Sequence, residues 1–196
     1  MPKFRVSSGA AALAALLTFG SAQAAGTATH AGAATLKAAE QCLSYGQYAC
    51  AEPKLKLYLK AHPDDVHAQA LLAITDTRLG NHTEAIPLYR KVLDQGEGTY
   101  DLFAGYAISL DAVGELDESI KYNRRALEIV PNLVDVRGML ARQLVKQGKL
   151  QEARDLLQSF DDYLVKQGVR PYFTAQIMAI DDKIAKQKAE AAPAPK

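Results

Sequence analysis

Four glycines recur at a fixed step of 34 residues: Gly46, Gly80, Gly114 and Gly148. Alanines keep the same step seven residues before each of them, at Ala39, Ala73, Ala107 and Ala141. Five residues after each glycine stands a small residue again: Ala51, Ala85, Ser119 and Ala153. Such a lattice argues for one supersecondary unit repeated along the chain, each copy burying its apolar face against the next. Arrays of this build bind along an extended face and rarely carry catalytic groups.

One repeat read as a physical object shows why. From Tyr100 onward, Leu102, Phe103, Tyr106, Ala107, Leu110 and Val113 recur at three- and four-residue steps, the stripe of an amphipathic helix. Gly114 ends that helix, because glycine takes the left-handed conformation a helix terminus requires. Asp117 is placed to cap the next helix, with Glu118 in its first turn. Ile120, Asn123, Ala126, Leu127 and Val130 form the second stripe, with one polar interruption. Pro131 and Asn132 close it, as Pro63 closes the first repeat, since proline cannot continue the hydrogen-bond ladder. Small residues at the offsets of Ala107 and Ser119 let the two helices of a hairpin approach closely. Pro53 and Pro87, each seven after a glycine, fall near the first turn of a second helix.

The N-terminus has a different character. Lys3 and Arg5 precede an uncharged apolar run from Ala10 to Phe19, and Ala22-Gln23-Ala24 follows the small-x-small pattern of a signal-peptidase site. The expectation is cleavage after Ala24, export, and a periplasmic location in a bacterium. A membrane anchor or an unprocessed terminus are the alternatives, but an anchor needs about 20 apolar residues and this run is roughly half that. Without residues 1–24, 172 of the 196 residues remain, and Lys+Arg falls from 23 to 21 against 22 Asp+Glu, a formal charge of −1. A nearly neutral chain of interspersed signs has no electrostatic footprint for nucleic acid or anionic lipid. No second long apolar segment follows, so no integral membrane span is expected after cleavage.

Both cysteines, Cys42 and Cys50, flank Gly46 at four residues on either side. In an oxidising compartment an even count invites pairing. If Gly46 turns a helical hairpin, both thiols lie about one helical turn from its tip, where the roughly 4.4–6.8 Å between Cα atoms that a disulfide needs is within reach. Two independent buried thiols are the plainer alternative.

These residues resemble the tetratricopeptide repeat family, whose 34-residue helix–turn–helix units stack into a right-handed superhelix. The resemblance implies an all-α, right-handed superhelical solenoid of four repeats (residues 32–65, 66–99, 100–133 and 134–167) and a C-terminal capping helix. Residues 1–24 are then the signal peptide and 25–31 a linker. The family's frequent early tryptophan is absent, with Thr35, Gln69, Phe103 and Arg137 in its place. Repeat two carries Gly96-Glu97-Gly98 in place of a closing proline, which leaves open a hinge or an irregular loop that packs the same way. Beyond the repeats, Ala175 continues the alanine step, and Pro171 to Lys188 reads as a helix with Phe173, Ile177, Ile180 and Ile184 toward the core. This segment, within 168–188, is expected to cap the stack, and 189–196 to be a disordered tail.

No catalytic constellation emerges. His62-Pro63-Asp64-Asp65-Val66-His67 gathers metal-ligand residue types, but at loop spacing that a helix stop and the next helix start explain. No nucleophile–base pair, phosphate-cradling loop or aromatic ladder appears, so no enzyme activity, cofactor or metal is expected.

In the family the inner, concave face is lined by the first helix of each repeat. Carried over by glycine offset, the groove positions are Leu36, Glu40 and Leu43 in repeat one, and His67, Ala70, Ile74, Thr77 and Arg78 in repeat two. Repeat three supplies Asp101, Ala104, Ile108 and Asp111, and repeat four Asp135, Gly138, Arg142 and Val145. Members that bind chaperone C-termini use a lysine–asparagine–arginine clamp. The matching places here hold Leu36, Glu40, Ala70, Ile74, Ala104 and Ile108, so that activity is not carried over. A trough small and apolar in the middle with charged edges suits an extended peptide or one face of an amphipathic helix. The competing reading packs Ile74 and Ile108 against neighbouring helices. The function expected is a non-enzymatic periplasmic scaffold for a protein or peptide of the cell envelope; the alternative is an assembly factor or holding chaperone that presents unfolded clients.

Overall fold

The computed structural model describes residues 32–191. The segments read as signal peptide and linker, and the last five residues, lie outside them. Among the described residues the chain is all-α, with nine helices and no strand. They are α1 (residues 32–44), α2 (Tyr48–Ala61), α3 (Val66–Leu79), α4 (His82–Asp94), α5 (Tyr100–Ala112), α6 (Leu116–Ile129), α7 (Val134–Lys146), α8 (Leu150–Lys166) and α9 (Thr174–Ala191). The chain divides into two compact units between Ala68 and Gln69.

The first unit is the α1–α2 hairpin with the start of α3. Gly46 turns it with φ +68°, a conformation that costs a residue with a side chain about 1–2 kcal/mol. Ala39 and Ala51 are fully buried, at the offsets where close approach was expected. Cys42 and Cys50 are bonded across the turn with Cα atoms 5.8 Å apart. The two carboxylate oxygens of Asp65 take separate partners. Asp65 Oδ1 accepts the Ala68 N–H at 3.0 Å and so caps α3, while its Oδ2 accepts the Tyr58 hydroxyl at 2.7 Å.

The second unit is a stack of hairpins. α4 packs on α5, α5 on α6, α6 on α7, α7 on α8 and α8 on α9. Gly80, Gly114 and Gly148 turn the hairpins at φ +84°, +88° and +75°. In the third repeat the two small-residue rows meet directly: the Ser119 hydroxyl donates to the Ala107 carbonyl at 2.7 Å. The polar interruption in α6 is paired inside the stack. Asn123, fully buried, donates to Gln143 Oε1 at 2.9 Å, and Gln143 Nε2 donates to Ser119 Oγ at 2.7 Å. This chain of buried side-chain hydrogen bonds ties α6 to α7, although Asn123 Oδ1 itself has no hydrogen-bond partner.

At three places the helices differ from the expectation. Asp117 does not cap α6; the helix starts at Leu116, and Asp117 lies in its first turn, accepting from Gln147 Nε2. Pro53 and Pro87 stand at the sixth helical residue, one turn deeper than expected, on exposed faces. α9 begins at Thr174, and it runs to Ala191, three residues into the stretch read as a tail. Its start is set by α8: the buried Asp161 carboxylate accepts the N–H groups of Tyr172 and Phe173 at 2.8 and 2.9 Å. Phe173, Ile177 and Ile180 then join Leu140, Leu144, Leu157 and Phe160 in one core. The Gly96-Glu97-Gly98 junction is a loop in which Gly96, at φ +87°, donates its N–H to Leu93 O at 3.0 Å.

Candidate functional site

Within the second unit, three stretches surround a cavity of about 530 Å³. Ile74, Thr77 and Arg78 face it from the end of α3, one helical turn apart. Asp101, Ala104, Gly105 and Ile108 face it from α5 at the same spacing. Asn132, Leu133, Val134, Asp135 and Val136 close it from the start of α7. Ile74, Ala104 and Ile108 are half-buried, leaving aliphatic surface toward the cavity, while Arg78, Asp101 and Asp135 are exposed. Asp101 and Asp135 sit in the first turns of α5 and α7, where the helix dipole favours an anion. Arg78 sits in the last turn of α3, where it favours a cation.

The floor of the cavity is polar but internally satisfied. Thr77 donates to the Ala73 carbonyl at 2.9 Å and lies 3.0 Å from Tyr89 Oη and 2.8 Å from Ser109 Oγ. One donor and two acceptor sites on a threonine hydroxyl account for all three contacts. Behind them, His82 Nδ1 lies 3.4 Å from Ser109 Oγ. Ser109 is fully buried, so this serine–histidine contact is a packing element and presents no nucleophile to the cavity. Burial pushes the Tyr89 hydroxyl well above the ordinary phenol range, with Arg78 pulling down and Asp101 and Asp76 pushing up, so the group stays protonated. Gly105 makes room for that ring: a Cβ there would stand 3.0 Å from Tyr89 Cζ.

Seven of the positions carried over by offset therefore line one cavity: Ile74, Thr77, Arg78, Asp101, Ala104, Ile108 and Asp135. Thr77 is buried rather than exposed, because its hydroxyl turns inward to Tyr89 and Ser109. The others lie elsewhere. In the first unit Glu40 and His67 take each other, Oε1 to Nε2 at 3.0 Å, and Leu36 and Leu43 are half-buried. Ala70 is half-buried outside the cavity lining, and Asp111 pairs with Lys146 at 3.3 Å. In repeat four Asp135 and Arg142 stay exposed, but Gly138 and Val145 are packed over. Gly138 is buried under Phe173, whose Cε1 is 3.4 Å from where a Cβ would stand, with Arg142 Nη1 at 3.6 Å. Val145 packs into the core shared with α9. The offset missed Tyr89, Tyr100, Gly105, Asn132, Leu133, Val134 and Val136. Only Gly105 carried a signal, as a glycine inside a helical stripe with no turn to make.

Repeated helical hairpins followed by a terminal helix define a helical-repeat protein. No protein-family model matches the sequence. No curated protein matches it. Solved structures do match in fold. The chain is similar to MamA (41-end) from Desulfovibrio magneticus RS-1, with TM-score 0.60 at 14% identity over 65% of this chain and 72% of that one. It is similar to a tetratricopeptide repeat protein from Parabacteroides merdae, with TM-score 0.56 at 14% identity over 66% of this chain and 52% of that one. A third likeness is to the Thermobaculum terrenum O-GlcNAc transferase, with TM-score 0.54 at 22% identity over 69% of this chain but only 27% of the enzyme. The chain has the tetratricopeptide repeat fold. No helix among the described residues is long and apolar enough to cross a membrane.

Proposed function

We infer that the chain is a non-enzymatic, exported scaffold whose trough holds a peptide or one helix face of another protein of the cell envelope. The observation that carries this is the joint exposure of Ile74, Ala104 and Ile108 in one cavity, flanked by Arg78 on one helix and Asp101 and Asp135 on two others. Apolar side chains of a partner would be desolvated against the three small and aliphatic residues, which supplies affinity. The charges would set its direction and exclude wrong partners. Export rests on the N-terminal pattern, and the bonded cysteine pair accords with an oxidising compartment such as the periplasm.

The test is the double variant Ile74→Asp/Ile108→Asp, expressed with its signal segment, purified and compared with the unaltered protein in affinity capture from envelope extract. Unchanged circular dichroism with capture reduced at least tenfold is the expected result. Intact folding with intact capture removes the trough as the binding surface. Capture of many unrelated unfolded polypeptides, in place of one folded partner, would turn the reading to the holding-chaperone alternative.

A further inference from the structure

We propose that Cys50 is the thiol through which the Cys42–Cys50 bond is made and opened, carrying the mixed disulfide with a disulfide donor while Cys42 resolves it. The two sulfurs differ in three respects. Cys50 is the third residue of α2, so its thiol lies in the first helical turn, at the positive end of the helix dipole. Lys54, one turn further on, places Nζ 3.3 Å from Cys50 Sγ and 3.0 Å from Cys50 O. Cys50 is also half-buried, whereas Cys42 is only 7% exposed.

Cys42 has the opposite surroundings. It stands two residues before the end of α1, where carbonyls concentrate negative partial charge, and burial disfavours a charged sulfur there. The two glutamates of this hairpin are engaged elsewhere: Glu52 with Lys56 at 2.5 Å, and Glu40 with His67 at 3.0 Å. Both features that favour a thiolate at Cys50 belong to α2 itself and span one turn, so they persist when the two sulfurs are apart.

The order of steps follows. The Cys50 thiolate attacks one sulfur of a donor disulfide RS–SR, forming Cys50–S–SR and releasing RS⁻. Cys42 then gives its proton to solvent, and its thiolate attacks Cys50 Sγ, forming the Cys42–Cys50 bond and releasing the second RS⁻. Two electrons pass from the cysteine sulfurs to the donor, and two protons pass to solvent. In the bonded product the Cα atoms stand 5.8 Å apart, within the usual range for a disulfide. Opening by an external thiol retraces the path, entering at the more exposed Cys50 sulfur and expelling Cys42.

The experiment uses the mature chain carrying Cys42→Ser or Cys50→Ser, fully reduced, with oxidised glutathione as the probe at pH 7 and intact mass as the readout. Cys50 in the first variant is expected to take up glutathione at least tenfold faster than Cys42 in the second. Adding Lys54→Met to Cys42→Ser is expected to slow uptake about threefold or more, and urea to abolish the difference between the two thiols. In the reduced unaltered chain, acid-quenched intermediates mapped by peptide mass are expected to carry glutathione on Cys50. Equal rates in folded protein, faster reaction at Cys42, no effect of Lys54→Met, or glutathione trapped on Cys42 would each overturn the proposal.

Discussion

Thr77 Oγ1 lies 2.8 Å from Ser109 Oγ, tying α3 to α5 directly beneath the trough. The same oxygen meets Tyr89 Oη at 3.0 Å, so one hydroxyl joins three consecutive helices. Thr77→Val keeps the shape and removes the oxygen, leaving two buried hydroxyls without this partner. Each such group costs about 1–3 kcal/mol. The variant is expected to lose stability in that range in urea denaturation followed by circular dichroism. A loss under about 0.5 kcal/mol, within the range of an ordinary surface change, would contradict the role.

Gly105→Ala sets two effects against each other. Alanine inside a helix is normally favoured over glycine by about 0.5–1 kcal/mol. Here the new methyl group meets Tyr89, a fully buried ring whose hydroxyl is already bonded to Thr77. Overpacking of this kind costs typically about 1–3 kcal/mol, so a net destabilisation is expected. A higher melting temperature for Gly105→Ala would show that Tyr89 moves aside freely.

Asp65 gives a pH-dependent prediction. Burial pushes its carboxyl up, but the Ala68 N–H, the Tyr58 hydroxyl and His67 together hold it below the ordinary aspartate range. A depressed value means the stabilisation is present above the unfolded pKa of about 3.9 and fades as pH falls through the folded value. Asp65→Ala is expected to cost ~1 kcal/mol at pH 7. The gap between variant and unaltered protein should close in acid, measured by thermal melts from neutral pH downward. A gap that stays constant across that range would count against the cap.

Phe173 anchors the terminal helix. It is 2% exposed and packs with Phe160 at 5.9 Å between ring centroids, over Gly138. Phe173→Ala is expected to cost about 3–5 kcal/mol locally. Because repeats contact only their neighbours, the loss should appear as hydrogen exchange in α9 while α5 and α6 keep their protection. Uniform loss across all helices would show a single cooperative unit instead.

What could be read from the chain depended on whether the cause was local. The turn glycines were legible because a left-handed residue at each hairpin needs a residue without a side chain, and all four take positive φ. The small rows were legible because close helix approach forces them, as the Ser119–Ala107 contact shows. The cavity lining was partly legible: Ile74, Ala104 and Ile108 share an offset logic that follows helical geometry. Thr77 was misjudged because a position's face does not say which way a hydroxyl turns. Gly138 and Val145 were misjudged because the seat of α9 is set by Asp161 and Phe173, partners far from repeat four's first helix in sequence. Tyr89 was missed because it enters from a second helix through the gap at Gly105, a pairing no single-helix period encodes.

The central claim is that the trough between α3, α5 and α7 is where a partner sits. A photoreactive amino acid placed at Ala104 or Ile108, with Lys121 on the exposed face of α6 as the control, tests it in living cells. One discrete adduct to an envelope protein is expected from Ala104 and Ile108, and none from Lys121. Adducts from Lys121 with none from the trough positions would contradict it.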